Sequence, residues 1–94
     1  MIITDGHQLV DAAQRDAVVE RFTSLVSRAR EFDGCIHFAI TADSVDPERI
    51  NVSEVWQDAA TPDAWRGQAD APDADEIKHV DVKRYNAKDG GPLF

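Results

Sequence analysis

At 94 residues the chain is long enough for one small hydrophobic core and too short for two. Its 18 acidic and 10 basic residues give a formal charge of −8, which argues against a nucleic-acid backbone or an anionic membrane as partner. A hydrophobic content of 43% excludes compositional disorder, no apolar run approaches the roughly 20 residues of a membrane span, and a single cysteine excludes an internal disulfide or a cysteine zinc site. With no secretory signal pattern at Met1, a soluble cytoplasmic protein is expected.

Met1 to Leu9 (MIITDGHQL) opens on β-branched residues and then alternates, which predicts a first strand. In strict period two, Asp5 and His7 share a face with Ile3 and Leu9; a bulge at Gly6 would change that phase. His7 is therefore a candidate cavity residue whose direction depends on Gly6. Asp11, with Gln14 three residues later, approximates a capping box, and Val18, Val19, Phe22, Leu25, Val26 and Ala29 follow as an unbroken helical stripe. One helix from about Ala12 to about Glu31 is predicted, with Gly34 placed to turn the chain out of it.

Gly34 to Trp56 reads as a β-hairpin. Ile36, Phe38 and Ile40 alternate with Cys35, His37, Ala39 and Thr41, so a pleated strand sends the large apolar set to one face and His37 to the other. Asp46-Pro47-Glu48 marks the turn. The return run from Ile50 to Gln57 places Val52, Glu54 and Trp56 on one face, so a carboxylate and an indole share a surface. Thr61-Pro62-Asp63 predicts the start of a short helix carrying Ala64, Trp65 and Gln68, ended by Pro72. Asp70 to Glu76 (DAPDADE) reads as an acidic, exposed loop. From Ile77 to Tyr85 alternation returns, with Val80, Val82 and Arg84 on one face and His79, Asp81, Lys83 and Tyr85 on the other. Asn86 to Phe94 is an extended tail that offers Leu93 and Phe94 to a partner.

The order β-α-β-β-α-β is the α+β, ferredoxin-like arrangement: an antiparallel sheet with helices on one face. A single domain over residues 1–94 is expected, with its core in 1–86 and a C-terminal tail in 87–94. The bare sheet face needs a cover, and a second copy of the chain is the simplest one. A homodimer is thus predicted, in which two sheets enclose a dimeric α+β barrel with a pocket for each subunit.

Several stretches carry a family resemblance. They are Arg28-Ala29-Arg30-Glu31-Phe32-Asp33-Gly34-Cys35, the alternating strand after it, Asp46-Pro47-Glu48-Arg49, Ser53-Glu54-Val55-Trp56 and the short helix with Trp65. In that order and spacing they resemble the antibiotic biosynthesis monooxygenase (ABM) domain across most of the chain. The resemblance implies a homodimeric barrel and, in many members, oxidation of phenols, quinols or polycyclic aromatics without metal or flavin. The small haem-degrading monooxygenases look similar too, sharing a Phe-Asp-Gly turn like Phe32-Asp33-Gly34, a strand-ending tryptophan like Trp56 and a helix tryptophan like Trp65. Here, however, His7 stands where those enzymes carry asparagine, and Arg66 to Glu76 contains no histidine to ligate iron.

Cofactor-free oxidation of a phenol begins by removing its proton, a task suited to a histidine that titrates near neutrality. His37 and His7 are the candidate bases, with Glu54 to orient a histidine or accept a substrate hydroxyl. Trp56 and Trp65 are candidate stacking surfaces, with Phe38 and Arg84 as further substrate contacts. The expected partners are a small aromatic substrate and dioxygen, with no metal and no cofactor. Haem, bound through His7, His37 or His79, is the alternative, and a dimeric binding module without turnover is the third reading.

Overall fold

The computed structural model describes residues 1–94. Four strands, β1 (Ile2–Leu9), β2 (Cys35–Ala42), β3 (Arg49–Trp56) and β4 (His79–Asn86), form one sheet in the order β2-β3-β1-β4, with every neighbouring pair antiparallel. Helices α1 (Arg15–Arg21), α2 (Thr23–Glu31) and α3 (Ala60–Arg66) complete the βαββαβ order of a ferredoxin-like α+β fold. No helix is long and apolar enough to cross a membrane.

The two faces of the sheet differ as the alternation requires. Along β3, Ile50, Val52, Glu54 and Trp56 are buried beneath the helices, while Arg49, Asn51, Ser53 and Val55 point the other way. Registers that pair Thr4 with Glu54 and with Arg84 extend this division to β1 and β4. The helix side therefore carries Ile2, Thr4, Gln8, Val80, Val82 and Arg84. The open side carries Ile3, Asp5, His7, Leu9, His79, Asp81, Lys83 and Tyr85.

Two apolar clusters lie under the helices. Ile2, Leu25, Ala29, Phe38, Trp56 and Trp65 belong to one, and Val10, Val18 and Ile50 form the other, with Phe22 packed against both. This arrangement explains why the stripe from Val18 to Ala29 is not one straight helix. At Phe22 (φ −88°, ψ 0°) the backbone N–H donates to Val19 O at 3.1 Å, a tighter turn that bends the chain. The bend lets α1 serve one cluster and α2 the other over a twisted sheet.

Other local expectations are corrected in detail. Asp11 does not cap the first helix: its carboxylate accepts from Lys78 Nζ at 3.0 Å, and α1 begins at Arg15 without a side-chain cap. Asp58, rather than Thr61, caps α3, accepting from Ala60 N–H, Thr61 N–H and Thr61 Oγ1 through one oxygen. The bulge lies in β2 between Cys35 and His37, and both registers run through Gly6 without a shift. Gly6 is instead a point of close approach: at φ +155° a Cβ there would lie 2.0 Å from Asp81 O.

Candidate active site

A cavity of about 300 Å3 lies between the helices and the sheet. Phe38, Ile40 and Val52 of β2 and β3 make its floor, and Phe22 and Leu25 face them from the helical side. Trp65 of α3 closes one flank, with Ala69 and Ala71 of the following segment. Trp65 meets Phe38 edge to face, the ring centroids being 6.2 Å apart at 73°, so the aromatic wall is held by mutual contact. Three polar side chains border this apolar space: Gln8, Glu54 and Arg66.

Glu54 is the unusual one. Alternation places it under the helices among Val52 and Trp56, leaving only 9% of its surface exposed. Trp56, two residues on along the same face, donates its indole N–H to Glu54 Oε1 at 3.0 Å. Arg66 Nη2 stands 3.9 Å from the same oxygen, a distance of charge attraction rather than a hydrogen bond. Burial pushes the Glu54 carboxyl above its ordinary value, against the opposing pull of the Trp56 N–H and then of Arg66 and Arg84. Across β1, the buried hydroxyl of Thr4 has no hydrogen-bond partner, so spare hydrogen-bonding capacity sits at the same end of the sheet.

The segment from Gly67 to Lys78 has little regular structure, and arginines of the long helical arm hold it down. Arg28 donates to Ala69 O and lies over the Trp65 ring at 6.0 Å. Arg21 grips Asp73 O at 2.9 Å and both oxygens of Glu76, at 2.9 and 2.6 Å. That bidentate pair holds the Glu76 carboxyl down to about 2.

The residues singled out in the sequence are divided by the sheet. Glu54, Trp65 and Phe38 come together at the cavity. His7 and His37 do not join them: their register partners Asn51 and Val55 put both on the open face, with His7 6.1 Å from the His79 ring. Trp56 is fully enclosed, so its ring is part of the core and only its N–H reaches the site. Arg84 lies on the helix side but does not border the cavity; its guanidinium donates to Asp63 Oδ1 at 3.0 Å. The cavity itself lies under the helices, across the sheet from the expected hollow between two subunits. Gln8 and Arg66 were not singled out in the sequence. Gln8 carried a signal, a polar residue in phase with Ile2 and Thr4, whereas nothing local marks Arg66.

A second concavity, about 380 Å3, lies outside the helices beside β2, with Val19, Val26 and Ile40 below and the exposed Thr23, Ser27 and Arg30 at its rim. It contains no buried titratable group.

The model of the antibiotic biosynthesis monooxygenase family matches residues 1–76. The chain belongs to that family. No protein of curated function matches the sequence significantly. Among solved structures, the ABM chain is similar to a candidate antibiotic biosynthesis monooxygenase from Deinococcus radiodurans at 15% identity, covering 100% of this chain and 99% of the other with a TM-score of 0.74. A counterpart from Nitrosomonas europaea matches at 19% identity over the whole of both chains, also with a TM-score of 0.74. The haem degrader MhuD of Mycobacterium tuberculosis, solved with two haems in its active site, matches at 14% identity over 93% of this chain and 95% of its own, with a TM-score of 0.68. At such identities the likeness is one of fold.

The MhuD likeness raises haem as a ligand, and the cavity tests it. No histidine, cysteine, methionine or tyrosine lines it, so the usual axial ligands of haem iron are missing from its wall. The three histidines of the chain lie in β1, β2 and β4 with their registers on the open face. The residues present do not fit haem in this cavity.

Proposed function

We propose that this ABM protein is a cofactor-independent monooxygenase acting on a phenolic, quinol or polycyclic aromatic substrate in the cavity beneath its helices. One observation carries the reading: a buried carboxylate, fixed by an indole N–H, stands at the polar pole of a cavity otherwise walled by aromatic and aliphatic side chains. The apolar walls, Phe22, Phe38 and Trp65 among them, suit a flat ring. Glu54 accepts the hydroxyl proton, helped by a basicity that burial has raised. Arg66 faces the phenolate charge that results.

The phenolate places electron density on the ring carbons ortho and para to oxygen, and dioxygen adds to one of these that bears a hydrogen, giving a hydroperoxide. Loss of the hydrogen on that carbon and cleavage of the O–O bond release water and leave a carbonyl, with the proton held by Glu54 available to the departing oxygen. One oxygen atom stays in the quinone and one leaves as water, so no external reductant is consumed. His7 and His37 have no part in this chemistry, since the sheet separates them from the cavity.

The same reading includes a homodimer across the open sheet face. Ile3, Val55 and Ala39 are only partly covered there and Tyr85 is 50% exposed, an apolar surface of the kind a second copy buries.

The test is oxygen consumption by metal-stripped protein with 1-naphthol, whose expected products are 1,4-naphthoquinone and water in equal amounts. Glu54→Gln is expected to lower the rate at least about 100-fold, the usual worth of a positioned general base. Undiminished turnover in that variant would refute the assignment of Glu54.

A further inference from the structure

We infer that Gln8 is a specificity-determining residue, whose amide binds an oxygen at the end of the substrate remote from Glu54. The site then selects a flat two-ring compound with oxygen functions at opposite ends. The inference rests on the cavity being the substrate site.

The geometry comes from the sheet. Glu54 pairs with Thr4, while Gln8 pairs with Ile50, so the two polar residues stand four positions apart on adjacent strands of the floor. A strand rise of about 3.4 Å and a strand spacing of about 4.8 Å put their Cα atoms about 14 Å apart. Side chains on one face of a sheet stand roughly parallel, so a similar distance separates their heads. Subtracting a hydrogen bond of about 2.8 Å at each end leaves about 8 Å between the two ligand oxygens. That matches hydroxyls at the far corners of two fused six-membered rings; a single ring is too short. Between the poles the floor is Val52 and Phe38, with no polar atom to hold an oxygen mid-way.

The chemistry of Gln8 supports a ligand at its end. Its register partners are Ile50 and Val80, and its side-chain amide, bonded to no other residue, is reached by solvent and so free to take a ligand oxygen. A half-buried amide among apolar neighbours gains from a partner, and a neutral amide can donate to a carbonyl or accept from a hydroxyl. Glu54, by contrast, only accepts when ionised. The two ends therefore differ: the proton-donating hydroxyl goes to Glu54, and either a hydroxyl or a carbonyl suits Gln8.

Two isomers separate this from simple apolar binding. By calorimetry at neutral pH, 2,6-dihydroxynaphthalene, with oxygens at opposite ends, is expected to bind wild-type protein about 5–10-fold tighter than 2,3-dihydroxynaphthalene, the worth of one added hydrogen bond. Gln8→Leu should bring that ratio to about one, and Gln8→Glu, which retains an acceptor for the far hydroxyl, should keep it above one. Equal binding of the isomers to wild type, with Glu54→Gln still weakening both, would overturn the role of Gln8 and leave the cavity assignment standing. A ratio unchanged in Gln8→Leu would overturn it too. If neither isomer binds, the assignment of the cavity falls, and this inference with it.

Discussion

The hydrogen bond from Trp56 to Glu54 makes a prediction that packing alone cannot imitate. Trp56→Phe removes the N–H donor and some ring volume from a fully enclosed position. The missing volume and its edge-to-face contact with Phe38 should cost about 1–2 kcal/mol at any pH. The lost donor is different, because a hydrogen bond to an ionised group contributes about 1.5–3 kcal/mol only while that group is charged. Its loss therefore pushes the Glu54 carboxyl still further above its ordinary value. The sign follows from linkage. Glu54 titrates higher in the folded chain than in the unfolded one, so the folded state is favoured below the ordinary carboxylate range and loses stability as pH rises through the window between the two values. Trp56→Phe extends that window upward. Denaturant unfolding of wild type and variant should therefore differ by about 1–2 kcal/mol at pH 4, where the carboxyl is mostly protonated, and by more at pH 7, rising toward about 2.5–5 kcal/mol where Glu54 is ionised in both proteins. Taking the difference between variant and wild type at each pH cancels the other carboxylates. An equal loss at both pH values would show that the indole serves Glu54 in no way beyond filling space.

Gly6→Ala should open the β1–β4 pairing, since the new methyl has no room beside Asp81 O; amide exchange across 79–86 would accelerate, and an unchanged pattern would refute the close approach. Arg21→Ala should free the segment over the cavity, seen as faster exchange in 69–76 with the sheet unaffected. The Glu76 carboxyl is depressed to about 2, so the contribution of this pair is present above the ordinary carboxylate pKa and is lost as pH falls toward about 2; protection factors in 69–76, which correct for the slower intrinsic exchange in acid, should fall over that range in wild type and not in the variant. Val55→Asp on the open face should convert a dimer to monomers in sedimentation experiments, and a wild-type monomer would remove the proposed interface.

The period of the sequence was enough to reveal the sheet and its division, except at the start of β2, where the bulge leaves Ile36 57% exposed and packs Cys35 against the core in its place. Val52, Glu54 and Trp56 share a face because a pleated strand alternates, and Val80, Val82 and Arg84 do so for the same reason; neither depends on what lies across the sheet. The element order was legible likewise, because turn signals separate a helical period from strand periods. Which face holds the cavity was not. His37 and Phe38 are neighbours in sequence, and alternation says only that they part, leaving open which side the helices cover. Gln8 comes from β1, 46 residues before Glu54, and Arg66 from α3, 12 residues after it, and both join Glu54 only through strand pairing and helix packing. Trp56 shows the limit most clearly. Its place beside Glu54 could be read from a spacing of two, but whether its ring or only its N–H meets the cavity depended on Ile2, Phe38 and the helices closing around it. Local periodicity assigns residues to faces, and only the assembled layers decide which face is filled, which is hollow and which is left for another chain.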